Sequence, residues 1–154
     1  MSKLINAIFS GNKDQIEKLL ESGYDIDCQD KDKRTALIHA VIDNKLEIAE
    51  KLIQQGADLN LQDSLGYSAL HYAAQNYFQE EVELLLKSNA TVDIQDIHGN
   101  TPLFRAIFNS RGRGEVIKIF LANGADKDLK NYHGVSPQQL AKTIGNYNIA
   151  QFLE

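Results

Sequence analysis

The chain is poor in several residue types whose absence limits what it can be. It has 154 residues but one cysteine, Cys28, two prolines and no tryptophan. A single cysteine excludes an internal disulfide and a metal site built from cysteines alone. Apolar runs fall far short of the roughly 20 residues that cross a bilayer, and charges interrupt the first 20 positions. We therefore predict a cytoplasmic protein with no signal peptide and no membrane partner.

The chain also lacks an excess of positive charge. It carries 16 basic against 21 acidic residues, a net charge of −5. Proteins that bind nucleic acid usually present a basic surface to the phosphates, so we predict no nucleic acid partner. Hydrophobic residues make up 43% of the chain and charged residues 24%. This composition excludes wholesale disorder and indicates a folded domain.

What the chain does contain is a recurring six-residue motif. Copies begin at Thr35, Ser68, Thr101 and Ser136, with starts separated by 33, 33 and 35 residues, and a weaker copy begins at Ser2. The sixth position is always alanine: Ala7, Ala40, Ala73, Ala106 and Ala141. A second pattern recurs with a similar spacing, because apolar stretches are followed by Gly23, Gly56, Asn89 and Gly124. Since both patterns share one repeat length, we predict a tandem array of five units.

Each unit has the local signature of two helices and a turn. The initial Ser or Thr can cap a helix, and Pro102 and Pro137 stand at the first helical position, where proline is tolerated. The glycine or asparagine after the second apolar stretch suits a left-handed helix end. Asp-x-x-Gly segments then join the units, a pattern typical of tight turns. We expect a helix, a turn, a second helix and a projecting hairpin in every unit.

This pattern resembles the ankyrin repeat, whose consensus Thr-Pro-Leu-His-x-Ala and 33-residue period match Thr101-Pro-Leu-Phe-Arg-Ala106 and its relatives in the chain. The resemblance implies an all-α-dominated repeat solenoid, with a helix-turn-helix and a β-hairpin per unit. We predict one ankyrin-repeat domain over 1–154. Its units are 1–31, 32–64, 65–97, 98–132 and 133–154, with the first and last as polar caps.

Three positions depart from the pattern. Lys33 stands where other units have the turn glycine, so a lysine must adopt positive φ unless that turn differs. Tyr77 breaks the series of Gly and Asn at the turn between helices. Cys28 aligns with Leu61 and its apolar equivalents, so we interpret it as a small buried apolar residue rather than a nucleophile.

We find no pattern that indicates catalysis. The four histidines fall at scattered positions without metal-ligand spacing. Nucleophile elbow, phosphate loop and dinucleotide fingerprint are all missing from the sequence. Asp30, Asp63 and Asp96 recur with the repeat and are interpreted as turn formers. We predict a non-enzyme without a metal or cofactor.

The resemblance implies binding of another macromolecule through the hairpin tips and the concave helix face. The candidate binding residues lie at the tips, where exposure is expected and apolar or aromatic groups indicate an interface. They are Arg34, Leu65, Tyr67, Ile97, His98, Asn100, Tyr132 and His133. The same side chains could instead pack between neighbouring hairpins. We predict a protein–protein interaction module that acts by stoichiometric binding, in the manner of an inhibitor or immunity-type protein.

Two other functions remain open. The fourth unit carries two extra residues within 108–114, which a surface loop tolerates at little cost. This insertion could instead support a ligand-binding or enzymatic site, with Arg111 and Arg113 as secondary candidates and Arg105 and His98 beside them. Alternatively, the chain could be an assembly element that forms oligomers through its hairpin edge. We expect the unbound chain to be a monomer.

Charge is distributed unevenly along the units. Residues 35–100 hold 10 acidic and 3 basic residues, whereas 101–154 hold 4 acidic and 7 basic residues. The acidic residues Glu47, Glu50, Glu80, Glu81 and Glu83 cluster on or near second helices and could simply form a solvated outer face. The distribution otherwise favours a partner that is basic or unevenly charged.

Overall fold

A computed structural model describes residues 2–145 and 147–154. Within these ranges the chain forms nine α-helices and a final 3-10 segment. They are α1 (Lys3–Ser10), α2 (Lys13–Glu21), α3 (Ala36–Ile42), α4 (Leu46–Gln54), α5 (Ala69–Asn76), α6 (Gln79–Lys87), α7 (Pro102–Phe108), α8 (Glu115–Ala122), α9 (Pro137–Thr143) and the 3-10 segment Ile149–Leu153. The five predicted helix pairs are present, but the tenth member has 3-10 geometry, which is common in short terminal pieces.

The first helix of each pair begins at the predicted cap. The side chains of Ser2, Thr35, Thr101 and Ser136 each accept a hydrogen bond from the backbone N–H three residues on. At Ser68 the cap is reciprocal, because His71 in the third helical position accepts from the Ser68 N–H. These bonds satisfy backbone donors that have no partner inside the helix.

The helices pack in two rows. α1, α3, α5, α7 and α9 form one row, and each contacts the next, while α4, α6, α8 and the 3-10 segment form the second. The recurrent alanines lie in the first row, where Ala40, Ala73 and Ala106 are fully buried. Their small side chains allow neighbouring helices to approach closely, so one continuous apolar core runs through all the units.

The hairpins between units are turns rather than β-ladders. Each is closed by one main-chain bond at its base, such as Asp63 N–H to Tyr67 O and Asp96 N–H to Asn100 O, both 3.0 Å. Among the described residues a bridge pair occurs only between Gln29 and Thr35. The hairpins differ from the predicted β-type because their other N–H groups bond within the turn, to the turn-forming side chain or to the neighbouring hairpin instead of across a ladder.

These bonds link the tips side by side. Ser64 N–H donates to Asp32 O at 2.9 Å, Ile97 N–H to Leu65 O at 3.2 Å, and Tyr132 N–H to His98 O at 3.0 Å. We call this series the tip ladder. It joins all four hairpins into one edge of the molecule through main-chain atoms.

Positive φ is kept in the turns whether or not glycine is present. Lys33 has φ 62°, close to Gly66 at 73° and Gly99 at 77°, so of the two alternatives the lysine adopts positive φ and the turn is kept. Tyr77, which breaks the second glycine series, also has φ 60°. The array therefore imposes these turns on residues that seldom adopt them.

Gly99 and Gly134 provide a matched test of close packing at the tips. Both have positive φ, but a Cβ at Gly99 would lie 2.7 Å from Tyr132 N, whereas nothing lies within 4 Å at Gly134. We expect Gly134→Ala to lower the free energy of unfolding by about 1 kcal/mol through backbone strain. Gly99→Ala should lose about 1 kcal/mol more, because the clash is added. Urea unfolding measures both, and equal losses would show that the close approach is unimportant.

Candidate binding surface

Each hairpin is built around one acidic or amide side chain. Oδ1 of Asp96 accepts hydrogen bonds from the N–H groups of His98 at 2.8 Å and Asn100 at 2.9 Å. Asp30 and Asp63 accept the corresponding pairs at 2.8 to 2.9 Å, and Asn131 does so at 3.0 Å. These residues form the turns, as predicted.

The second carboxylate oxygen receives a donor from the first helix of the following pair, nine residues along. The donors are His39 Nε2 to Asp30 at 2.8 Å, Tyr72 Oη to Asp63 at 2.6 Å, and Arg105 Nη2 to Asp96 at 2.5 Å. Three chemically different side chains thus perform the same task at one repeat position. We call it the clasp position.

The fourth hairpin reverses this chemistry. Asn131 has an amide NH2 in place of the second oxygen, and it donates to Asn100 Oδ1 at 2.8 Å. The residue at its clasp position is Leu140, which needs no polar partner. In every hairpin the residue at the clasp position therefore suits the turn-forming residue: a donor lies opposite each aspartate, and an apolar side chain stands at the clasp position that follows Asn131.

The clasps favour the ionised form of two hairpin carboxylates, Asp30 and Asp96. Burial raises the pKa of Asp96, but hydrogen bonds from Arg105 and from the Asn100 N–H outweigh it, so the pKa lies below its usual value. The pKa of Asp30 is lowered in the same way, with burial outweighed by the Arg34 N–H and by His39. Carboxylates held like this are structural and are not poised for proton transfer.

Aromatic and cationic side chains form a continuous row beneath the tips. Arg34 Cζ lies 5.9 Å from the centre of the Tyr72 ring, the Tyr72 and Tyr67 rings are 5.3 Å apart, and Arg105 Cζ lies 4.7 Å from the Tyr67 ring. We call these four residues the Arg–Tyr row. Guanidinium groups over ring faces are attracted by the ring quadrupole and held in orientation.

Five of the predicted binding residues line one open hollow on this surface. The hollow has a volume of about 320 Å³ and is lined by Leu65, Tyr67, Ile97, His98, Asn100 and Arg105. We call it the tip hollow. Leu65 and Ile97 are 47% and 51% exposed, an unusual degree of exposure for two neighbouring aliphatic side chains.

The other predicted residues surround the hollow. Tyr132 is 70% exposed and lies over Gly99, and the His133 ring is 6.1 Å from that of His98. Arg34 lies at the opposite end of the Arg–Tyr row, with Nε 3.7 Å from Asp63 Oδ2. The candidates from units two to five therefore share one face.

Three of the candidates are less accessible than expected. The expectation of an exposed Asn100 is wrong, because it is 7% exposed and bonds to Asn131 in the next hairpin. Tyr67 and Arg34 are half-buried and belong to the Arg–Tyr row. All three follow the residue with positive φ in their turn, Lys33, Gly66 or Gly99, and their side chains pack on neighbouring residues rather than projecting from the tip.

The insertion in the fourth unit packs against its neighbours. The Arg113 guanidinium lies 3.9 Å from the centre of the Tyr77 ring, and the Tyr77 hydroxyl donates to Arg113 O at 2.5 Å. Tyr77 and the insertion both depart from the repeat pattern, and the two are in direct contact. A polar hollow lined by Gln75, Asn76, Asn109, Arg111 and Arg113 lies beside them.

The structure separates two groups that the alternative hypothesis combined. Arg105 and His98 line the tip hollow, whereas Arg111 and Arg113 line the hollow at the insertion. The predicted grouping of all four residues is therefore wrong. His98 precedes α7 and the two insertion arginines follow it, while Arg105 lies within the helix and its side chain reaches back to Asp96 in the hairpin.

The acidic residues of the second helices lie apart from the tips. Part of their charge is neutralised, because α2 and α4 are joined by ion pairs between Lys13 and Glu47 and between Lys51 and Glu17. Glu50 and Glu80 are exposed beside a shallow hollow between α4 and α6. The outer helices and the tips therefore present different charges to a partner.

Cys28 is half-buried rather than fully buried as expected. Its Sγ lies 2.9 Å from Ser2 Oγ. Burial raises the pKa of the thiol, which favours the protonated, unreactive form.

Within residues 2–145 and 147–154, no three His, Cys, Asp or Glu side chains form a group that could hold a metal ion. Of the helices in the same ranges, none is both long enough and apolar enough to cross a membrane.

Comparison with known families identifies the class of protein. The family model for ankyrin repeats, in three copies, matches residues 4–96 and 43–131. The chain belongs to the ankyrin-repeat family, which confirms the resemblance inferred from the motif. Ankyrin repeats generally mediate protein–protein interactions and are typically non-catalytic. No curated protein shows significant similarity to this chain.

Proposed function

We propose that this protein acts by stoichiometric, non-catalytic binding of another protein through the tip hollow and the residues around it. The observation that carries the proposal is the exposure of Leu65 and Ile97 beside the Arg–Tyr row. Tyrosine and arginine are enriched among interface hot spots, and exposed apolar groups beside them mark an interaction site. Arg34, Tyr67, His98, Asn100, Tyr132 and His133 form or support the same surface.

The rigidity of the surface supports this role. The tip ladder fixes the spacing of Leu65 and Ile97, and the clasps fix each hairpin on its helix. The ordering of these residues is completed when the chain folds, so it does not have to be repeated on binding. A chain that binds without catalysis acts by masking or recruiting its partner, as an inhibitor or immunity-type protein does. We place this action in the cytoplasm, with the unbound chain a monomer.

Capture of partners from native lysate tests the proposed surface. We expect Leu65→Ser/Ile97→Ser to weaken binding about thirtyfold, equivalent to about 2 kcal/mol. Phe108→Ser is the matched control, because Phe108 is 64% exposed but lies beside the insertion. The captured protein is identified by mass spectrometry and its affinity for each variant is measured by calorimetry.

The pattern of losses distinguishes the alternatives. Loss of binding in Phe108→Ser, with the double variant unaffected, would move the site to residues 108–114. A double variant that no longer unfolds cooperatively in urea would show that Leu65 and Ile97 are packing residues. Light scattering of the isolated protein should give the monomer mass, and a concentration-dependent dimer would favour the assembly role.

A further inference from the structure

The charges that a partner meets on the tip face are mainly cationic. Lys31 and Lys33 are exposed and Arg34 is half-buried, with the half-buried Asp32 between the two lysines. The carboxylates of Asp63 and Asp96 lie beneath, almost completely buried, and their oxygens already accept hydrogen bonds from the turns and clasps. Apart from Asp32, a partner in contact with this face therefore meets hydrogen-bond donors rather than free carboxylate oxygens.

The two arginines of the Arg–Tyr row retain unused donors. Arg34 Nε is 3.7 Å from Asp63 Oδ2, which is too long for a hydrogen bond. The corresponding ion pair of Arg105 uses Nη2 alone. The Nε atoms of both arginines are without a hydrogen-bond partner in the described chain, but they are buried and a partner cannot reach them. Each guanidinium has five N–H groups, and the side chains of Arg34 and Arg105 are 33% and 18% exposed, so their terminal nitrogens can donate to a further carboxylate.

We propose that the tip face binds an acidic segment of the partner protein. Two carboxylates of that segment pair with Arg34 and Arg105, and an apolar side chain between them enters the tip hollow between Leu65 and Ile97. This inference rests on the proposed function and adds the chemistry of the partner. It differs from the expectation of a basic partner, because the acidic residues behind that expectation lie on α4 and α6.

The geometry favours carboxylates on a peptide over a single bound anion. The two guanidiniums are the ends of one row, and two tyrosine rings lie between them. An extended segment can contact both ends while its central side chain covers Leu65 and Ile97. The apolar contact and the charge pairs then reinforce one another, because the segment excludes water from the pairs.

The probe for this proposal is a displayed library of random 12-residue peptides, selected against the immobilised full chain. We expect enriched peptides to carry Asp or Glu on both sides of an aliphatic or aromatic residue. The most enriched peptide is then synthesised with a fluorescent label, and its affinity is measured by polarisation. Raising NaCl from 50 to 500 mM should weaken binding, because the pairs are partly exposed.

The decisive variant is Arg34→Gln. Its ion pair with Asp63 is long, so the fold should lose little, and we expect the peptide to bind about tenfold more weakly. Lys87→Gln is the matched control, since it removes the same charge from the exposed end of α6 and should leave the affinity unchanged. Urea unfolding of both variants verifies that they are folded at the assay temperature.

The outcomes separate this inference from the proposed function. Enriched peptides that are basic, or equal affinities for the two charge variants, would overturn the acidic segment. If such peptides still lose affinity in Leu65→Ser/Ile97→Ser, the tip face remains the binding surface. Peptides that bind the double variant as tightly as the wild type would overturn the proposed surface itself. A library that yields no binding peptide would overturn both the proposed surface and the acidic segment.

Discussion

Replacing Asp96 with alanine is expected to lower the free energy of unfolding by about 3 to 5 kcal/mol. The side chain of Asp96 is fully buried, and it serves both the third hairpin and α7. Its removal leaves the N–H groups of His98 and Asn100 without their acceptor and Arg105 without its buried counter-charge. Unpaired groups of this kind are far more costly than the loss of an exposed ion pair.

Two further variants divide this loss into its parts. Asp96→Asn keeps an Oδ1 acceptor for the turn and removes only the charge opposite Arg105, so we expect a smaller loss. Asn131→Ala removes the same acceptor from the fourth hairpin, where His133 is exposed and water can replace it. Its loss should be about 1 kcal/mol. Urea unfolding followed by circular dichroism measures all three, and equal losses for the two alanine variants would contradict the role of the buried clasp.

Acidification from pH 6.5 to pH 4 is expected to remove about 3 kcal/mol of stability through His71 alone. This residue is fully buried at the start of α5. Its Nε2–H donates to Asn100 O at 3.0 Å, and its Nδ1 accepts from Ser68 N–H at 3.2 Å. A second ring proton on Nδ1 would face the Ser68 N–H donor, with the Ser68 hydroxyl oxygen 3.0 Å away as its acceptor. Burial lowers the pKa of His71 from 6.5 to about 4.

The direction of the effect follows from which state binds the proton. The unfolded chain takes up a proton at His71 near pH 6.5, whereas the folded chain does so only near pH 4. Between these values the unfolded state holds more protons, so stability falls as the pH falls. Burial raises the pKa of Glu81 and of Asp93, and these two groups act in the opposite direction. The contribution of His71 must therefore be measured as a difference between variants.

His71→Gln is the appropriate reference. In α9 the same repeat position is held by Gln139, whose Oε1 accepts from the Ser136 N–H at 2.9 Å, so glutamine can preserve the cap. The wild type should lose about 3 kcal/mol more than His71→Gln between pH 7 and pH 4 in urea unfolding. An NMR titration that places the folded His71 pKa near 6.5 would disprove the assignment.

Most of the fold could be predicted because local rules determine it. The cap at Thr35 and the buried Ala40 each follow from propensities within a few residues, and both patterns recur in all five units. Lys33 shows the limit of such rules. Lysine disfavours the positive φ that Lys33 adopts, and the neighbouring unit imposes this turn through the tip ladder.

The candidate surface was only partly predictable, because contacts between units form it. Leu65 and Ile97 were found from their apolar character at exposed tips. Tyr72 was missed and Arg105 was assigned to the wrong group, since their partners lie nine residues away in the preceding hairpin. The pairing does leave a trace in the sequence: a donor stands at the clasp position after each aspartate, and Leu140 stands there after Asn131. Comparing the turn-forming position with the clasp position in each unit would have predicted these contacts.

The tip ladder also has a consequence for how this protein can change over evolutionary time. It joins the hairpins through the N–H and C=O groups of Ile97, Leu65, Tyr132 and His98, which are present whatever side chains those residues carry. Substitutions at these positions can alter what is recognised while the spacing between them stays constant. Residues whose side chains build the clasps have no such freedom, because each must remain matched to its partner. New binding specificities are therefore accessible by single substitutions at the tips, without passing through unfolded intermediates.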